Sequence, residues 1–86
     1  MGRYEVFLRQ SVIRKDLARL PKADVRRIMQ AIERLVEDPR PPGVQKLTAQ
    51  ERYRIRQGDY RIVFSIQDAE RTVWVVKVGH RWEVYR

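Results

Sequence analysis

The sequence predicts an α+β fold in which an N-terminal strand and an α-helical hairpin precede a three-stranded antiparallel sheet. Apolar residues alternate over residues 4–8, recur at helical spacing up to residue 37, and alternate again in the C-terminal half. Neither a helix pair nor a sheet can bury its apolar side alone, so the helices are expected to pack on one face of the sheet. All 86 residues are expected to form one domain, 1–86.

The helical hairpin is predicted from two apolar stripes separated by a proline. Ser11 is a suitable N-cap for a first helix over residues 11–20, with Ile13, Leu17 and Leu20 facing inward. Pro21 ends this helix, and the second is predicted over residues 22–37. Its buried stripe is expected to comprise Val25, Ile28, Ile32, Leu35 and Val36. Residues 44–51 show no clear periodicity, although Leu47 is expected at the edge of the core.

A two-residue turn, Gly58-Asp59, predicts the register of the central hairpin. It places Arg56 opposite Arg61, and directly opposed residues share a face of the sheet. The apolar face is then expected to carry Tyr53, Ile55, Tyr60, Ile62, Phe64 and Ile66. The other face is expected to carry Arg52, Arg54, Arg56 and Arg61. A slip of one residue would bury all four arginines, so the pattern favours a single register.

Charge is the most informative bulk property. The chain has 19 Lys plus Arg against 11 Asp plus Glu, a net charge of +8. Such an excess on a small domain indicates a polyanionic partner: nucleic acid, an acidic protein or an anionic membrane. No apolar run is long enough to span a bilayer, and cysteine is absent. We therefore expect a cytoplasmic protein without a membrane partner.

The composition disfavours several kinds of site. With one histidine, no cysteine and no close cluster of carboxylates, a zinc or two-metal nuclease is not expected. No glycine-rich phosphate loop is present, so no small-molecule cofactor is expected either.

The arginines of the hairpin are the first candidate site. Arg56 and Arg61 are like charges directly across a strand pair, which costs stability, and Arg54 adds a third charge. Cations gathered without matching anions are typical of an anion-binding site. The alternative is a solvated face on which the long side chains splay apart.

Basic and aromatic residues at the C-terminus form the second candidate. They comprise Lys77, His80, Arg81, Trp82, Tyr85 and Arg86. This mixture suits RNA, because unstacked bases stack on aromatic rings while cations hold the backbone. His80 can transfer protons near neutral pH, or it can be an ordinary packed histidine. Trp82 can stack on a base or pack against core or partner, and Trp74 is expected in the core.

RNA can be cut without a metal when its own 2′-hydroxyl attacks the adjacent phosphate. The products are a 2′,3′-cyclic phosphate and a free 5′-hydroxyl. The protein must align the attack, neutralise the phosphate and move protons. Arginine neutralises phosphate well but transfers protons badly, because the guanidinium hardly deprotonates.

Nearly the whole chain resembles the RelE/ParE superfamily of bacterial toxin–antitoxin toxins. The matching motifs are residues 20–22, 31–35, 37–40, 46–47, 53–64 and 78–86, of which the last two are the most specific. The resemblance implies a ribosome-dependent endoribonuclease that cleaves mRNA in the A site. It also implies a cognate antitoxin with an acidic or amphipathic segment. The ribosome and mRNA are then the other partners.

The resemblance also implies roles for individual residues. The RelE branch places basic catalytic groups at Arg54, Arg56, Arg61 and Arg81, and a base-stacking aromatic at Tyr85. Arg61 would stabilise the phosphate and Arg81 would assist the leaving oxygen; both are expected to be exposed. The RelE branch has lysines where this chain has Arg54 and Arg56. The general base is therefore open, and His80 could take over proton transfer.

The sequence thus predicts a metal-independent endoribonuclease acting as a toxin. The predicted catalytic residues are Arg54, Arg56, Arg61, His80, Arg81 and Tyr85. The predicted RNA-binding residues are Lys46, Arg52, Lys77, Trp82 and Arg86. The alternative is a ParE-like DNA gyrase inhibitor without nuclease activity. A third possibility is an RNA- or ribosome-binding module without catalysis.

Overall fold

The computed structural model describes residues 3–47 and 51–80. It has a mixed five-stranded sheet with one long helix on one face. The elements in chain order are β1 (Glu5–Leu8), a π-helical segment (Val12–Asp16), α1 (Lys22–Glu37), β2 (Gln45–Leu47), β3 (Arg52–Gln57), β4 (Tyr60–Gln67) and β5 (Thr72–His80). The strand order is β1-β5-β4-β3-β2. Strand β1 runs parallel to β5 and the other pairs are antiparallel. The α+β class is confirmed.

The sheet is wider than the three strands predicted, because a strand is added at each edge. Strand β2 lies in the stretch that shows no periodicity, since three residues are too few for an alternating pattern to be recognised. Strand β1 pairs with β5 from the far end of the chain, placing Val6 beside Val73. A parallel pairing over such a distance carries no local turn signal.

The first predicted helix, residues 11–20, is instead a five-residue π-helical segment, and the prediction of two α-helices is wrong. The Leu17 N–H donates to the Val12 carbonyl at 2.8 Å, and the Ser11 side chain makes no capping hydrogen bond. Val12 and Asp16 face inward, whereas Ile13 is 53% exposed. Val12 and Asp16 therefore share the inward face of the segment. The apolar stripe predicted from α-helical spacing contained Ile13 instead.

Helix α1 has the predicted bounds, Lys22–Glu37. It buries Ile28, Ile32 and Leu35 against the apolar face of the sheet, where Ile62 and Phe64 are fully enclosed. Burial of such side chains stabilises the fold by roughly 1.5–3 kcal/mol each. The helix ends at Glu37, and the backbone of the next residue, Asp38, is extended, as expected before a proline. In residues 3–47 and 51–80, no helix has the length and apolar character needed to cross a membrane.

The register predicted for the central hairpin is confirmed. Arg56 lies opposite Arg61, and Ile55 lies opposite Ile62. Gly58 has a φ of +61°, the left-handed region that glycine enters readily and that this class of hairpin turn uses. The turn and the apolar pattern therefore agree on which residues face α1.

A network of polar contacts joins the loop after α1 to the turn between β4 and β5. The two terminal nitrogens of the Arg40 guanidinium donate to both carboxylate oxygens of Asp68, at 3.2 and 2.9 Å. The Tyr4 hydroxyl donates to Asp68 at 2.7 Å, and Arg40 also donates to the Tyr53 hydroxyl at 3.3 Å. Hydrogen bonds from Arg40 and Tyr4 lower the pKa of Asp68 to about 2. The network thus stabilises the ionised carboxylate.

We predict that Asp68→Asn abolishes one acid-dependent component of stability. The folded pKa of about 2 lies below the ordinary value of 3.8, so this stabilisation is full above about pH 4 and is lost as the pH falls through about 2. The variant should have a lower Tm than wild type at pH 6, with the difference vanishing near pH 2. Thermal unfolding across pH measures it, with Glu70→Gln as a control in the same turn. A Tm difference independent of pH would contradict the prediction.

Candidate functional site

The sheet has one face covered by α1 and an opposite face that carries the arginines of the hairpin. The strand registers place a defined set of residues on this opposite face, here named the arginine face: Glu5, Phe7, Gln45, Leu47, Arg52, Arg54, Arg56, Arg61, Val63, Ser65, Gln67, Thr72, Trp74, Lys77 and Gly79. Four of the predicted catalytic and RNA-binding arginines therefore lie together.

Arg61 is buried, which corrects the expectation that it is exposed. Only 7% of the residue is accessible. It lies on β4 between Arg56 of β3 and Gly79 of β5. Arg56 carries a like charge, and Gly79 has no side chain that could pair with the guanidinium. Its Nε and Nη1 atoms have no hydrogen-bond partner among the residues that the structure describes. A buried cation without a counter-charge is costly, and its unused donors are suited to an anion.

The other arginines of the face are more accessible. Arg56 is exposed, whereas Arg54 and Arg52 are half-buried. Arg54 donates a hydrogen bond to the side-chain oxygen of Gln45, which lies opposite it on β2. The edge strand that local periodicity did not predict therefore orients one of the predicted catalytic arginines.

Lys77 also belongs to the arginine face, opposite Val63. Its Nζ lies 3.6 Å from the Oδ1 atom of Asp16. Asp16 is 5% exposed, and its Oδ2 accepts a hydrogen bond from the Val78 backbone N–H at 2.9 Å. The Asp16 carboxylate thus accepts a hydrogen bond from the backbone at the edge of β5 and forms an ion pair with Lys77 of the arginine face. Asp16 was not among the predicted residues, and its spacing of four residues from Val12, with which it faces inward, is the signal that could have revealed it.

His80 and Lys46 lie on the other side of the sheet from the four arginines. His80 lies opposite Tyr60, with ring centroids 5.9 Å apart, and the Tyr60 hydroxyl donates to Asp24 of α1 at 2.9 Å. Since Gly79 takes the arginine face, the next residue of β5 must point to the α1 side. Lys46 is likewise on that side, opposite Tyr53.

Four of the predicted residues, Arg81, Trp82, Tyr85 and Arg86, lie outside the described residues. The roles predicted for them stay predictions. Within residues 3–47 and 51–80, no group of three or more His, Asp or Glu side chains is arranged to hold a metal ion.

Trp74 is on the surface, so the expectation that it lies in the core is wrong. It is 41% exposed and stacks on Phe7, which is 39% exposed, with ring centroids 5.0 Å apart and planes inclined by 26°. Val73 and Val75, its neighbours in β5, occupy the core face instead. An aromatic residue in a β-branched run suggests burial on both faces, but none of the elements in residues 3–47 and 51–80 forms a second layer over the arginine face near Trp74. Beside Trp74 is a groove of about 610 Å³ lined also by Arg9, Glu51, Arg52, Ser65 and Gln67.

We predict that Asp16→Ala destabilises the fold by about 1–3 kcal/mol, because the buried Val78 N–H loses its acceptor. Asp16→Asn keeps an acceptor oxygen and gives up only the attraction to Lys77, so its loss should be below about 1 kcal/mol. Urea unfolding measures both free energies. Equal losses in the two variants would show that the hydrogen bond to Val78 is not the stabilising contact.

The chain is similar to proteins of bacterial and archaeal toxin–antitoxin systems. The family described as "ParE toxin of type II toxin-antitoxin system, parDE" matches residues 7–85. No curated protein sequence matches significantly.

Solved structures share the fold over almost the full length. RelE in the archaeal RelE–RelB complex from Pyrococcus horikoshii is 32% identical with a TM-score of 0.81, over 91% of this chain and 94% of that one. The RelBE2 toxin–antitoxin complex from Mycobacterium tuberculosis gives 27% identity and a TM-score of 0.81, over 94% of each chain. The isolated E. coli RelE toxin gives 25% and 0.76, over 95% of this chain and 90% of that one.

Proposed function

The chain belongs to the RelE/ParE superfamily and is the toxin of a type II toxin–antitoxin system, and from that premise we propose that it is a ribosome-dependent endoribonuclease. It cleaves mRNA in the ribosomal A site by attack of the 2′-hydroxyl on the scissile phosphate. Its partners are the ribosome, mRNA and a cognate antitoxin, and it acts in the cytoplasm.

The observation that carries this proposal is the buried guanidinium of Arg61. Its Nε and Nη1 donors lack partners in the described part of the chain, and Arg56 stands directly opposite. A guanidinium presents paired donors in a geometry that matches two oxygens of a phosphate. Partial burial strengthens such an interaction, because less water screens the charge. Arg61 is therefore assigned to the non-bridging oxygens of the scissile phosphate.

The reaction needs charge stabilisation and two proton movements. As the bond from the 2′-oxygen to phosphorus forms and the bond to the 5′-oxygen breaks, negative charge grows on the phosphate, where Arg61 and Arg56 stabilise it. Arg54 holds the RNA backbone beside them. The resemblance adds Arg81 as a hydrogen-bond donor to the leaving oxygen and Tyr85 as a platform for the substrate base.

We do not assign His80 the proton-transfer role that its position in the sequence suggested. Its side chain lies on the α1 side with Tyr60, away from Arg61. We therefore leave it out of the phosphate-binding group. The proposal does not use Lys46 there either, since its Nζ lies 3.4 Å from the Glu51 carboxylate.

A second candidate function, inhibition of DNA gyrase, is favoured by one observation: the matching family is described as ParE toxin. The similar solved structures are RelE toxins, and the arginine face gathers cations that a nuclease requires. We therefore rank the nuclease first.

We predict that Arg61→Met abolishes cleavage without unfolding the protein. Methionine fills much of the same volume without a charge, so the Tm should stay the same or rise, since it removes a buried charge that has no ion pair in the described part of the chain. Loss of a preorganised donor to the transition state should lower the cleavage rate at least about 100-fold. The rate is measured on ribosome-bound message in a translation extract. Arg26→Met, which removes the same charge from the exposed side of α1, is the control and should cleave normally.

A variant Arg61→Met that still cleaves at the wild-type rate would show that the site is elsewhere. A large fall in its Tm would show that Arg61 is structural.

The ends of the cleaved message provide an independent prediction. Attack by the 2′-hydroxyl leaves a 5′-hydroxyl on the downstream fragment, so an RNA ligase that needs a 5′-phosphate should join it only after kinase treatment. Primer extension should map the cuts inside codons. Intact message combined with inhibited supercoiling by purified gyrase would instead establish the second candidate.

A further inference from the structure

Phe7 and Trp74 form an exposed aromatic pair on the same face as the arginines. About two-fifths of each residue is accessible, and the rings stack on each other. The stack fixes the orientation of Trp74 and leaves part of its surface open to the groove. A rigid, accessible indole costs little conformational entropy when it receives a planar ligand.

The groove beside Trp74, here named the Trp74 groove, is lined by charged and polar residues around the indole ring. Arg9 and Arg52 line it and form no ion pair within residues 3–47 and 51–80, whereas the Glu51 carboxylate lies 3.4 Å from Lys46 Nζ. The lining also contains the Ser65 hydroxyl and the Gln67 amide, which donates to Ser65 at 3.1 Å and accepts from Thr72 at 3.3 Å, and none of its described residues is aliphatic. Such a surface fits a planar polar group attached to an anionic backbone better than it fits an apolar peptide side chain.

The Trp74 groove lies along the same strand as the buried arginine. Arg61 and Ser65 both project from β4 onto the arginine face, four residues apart. At about 3.3 Å per residue their separation is about 13 Å. A single RNA strand bound at Arg61 can therefore extend over Arg54 and Arg52 to reach Trp74.

We propose that the Trp74 groove is a second nucleotide subsite, in which Trp74 stacks on a base of the RNA strand that flanks the cleaved phosphate. Arg9 and Arg52 contact phosphates of that nucleotide, and Ser65, Gln67 and Glu51 meet the edge of the base. The inference rests on the proposed function for the identity of the strand. It adds a binding determinant outside the phosphate-binding arginines.

The test uses the fluorescence of Trp74 with a short RNA. The chain has two tryptophans, so a full-length Trp82→Phe variant leaves Trp74 as the reporter. Hexaadenylate should quench its emission saturably, because a stacked base quenches indole. In the wild-type background, Trp74→Ala should weaken binding of fluorescein-labelled hexaadenylate about 5- to 100-fold by anisotropy, the range for one base stacked on an aromatic ring. Trp74→Phe, which keeps a ring, should restore most of the affinity.

Ile13→Ala is the matched control, because it removes an exposed apolar side chain from the π-helical segment. It should bind the oligonucleotide like wild type. Circular dichroism and Tm confirm that the Trp74 variants are folded.

Two results would overturn the inference. One is Trp74→Ala binding hexaadenylate as tightly as wild type, with no quenching of Trp74. The other is unchanged RNA affinity with a loss of affinity for the antitoxin, which would make the groove a peptide site. Failure of the proposed function looks different: wild type would leave ribosome-bound message intact, while Trp74→Ala would still weaken oligonucleotide binding.

Discussion

The burial of one charged side chain in the middle of a strand is the constraint on which this structure depends. Arg61 is enclosed although its direct partners on the neighbouring strands are an arginine and a glycine. It is held on the arginine face, because the next residue, Ile62, is fully buried on the α1 side and successive residues of a strand point to opposite faces. If β4 turned over, Arg61 would face α1 and the core residues Ile62 and Phe64 would move to the arginine face. The core-facing residues of β4 thus fix the side of the sheet on which the guanidinium lies, and its burial there strengthens its attraction for an anion.

Contacts at the periphery keep this arrangement in place. Asp16 satisfies the Val78 N–H at the edge of β5 and attracts Lys77, while Gln45 of β2 orients Arg54. Asp68 ties the turn between β4 and β5 to the loop after α1. In each contact a polar side chain fixes the position of a strand that carries a basic residue of the arginine face. The result is a preorganised cationic surface, which the proposed nuclease would need in order to stabilise developing charge without rearranging.

Residues with strong local signals were predicted from the sequence, and residues placed by distant contacts were not. The Gly58-Asp59 turn and the alternating apolar residues predicted the register that puts Arg56 opposite Arg61. Helix α1 followed from its stripe and from Pro39. In contrast, the parallel pairing of β1 with β5 decides that Trp74 stacks on Phe7 at the surface, and no local pattern encodes that pairing. The burial of Arg61 escaped prediction for a related reason, since long cationic side chains usually reach solvent.

The most direct measurement is the NMR signal of the Arg61 Nε–H group during titration with a short RNA. Arginine-selective ¹⁵N labelling resolves these groups, and Arg61→Met assigns the signal. The account predicts that phosphate binding shifts the Arg61 Nε–H resonance and slows its exchange with water, while Arg26 on the far side of the molecule is unaffected. An Arg61 signal that stays unchanged while exposed arginines respond would contradict the account. RNA would then bind by general electrostatic attraction rather than at the buried guanidinium.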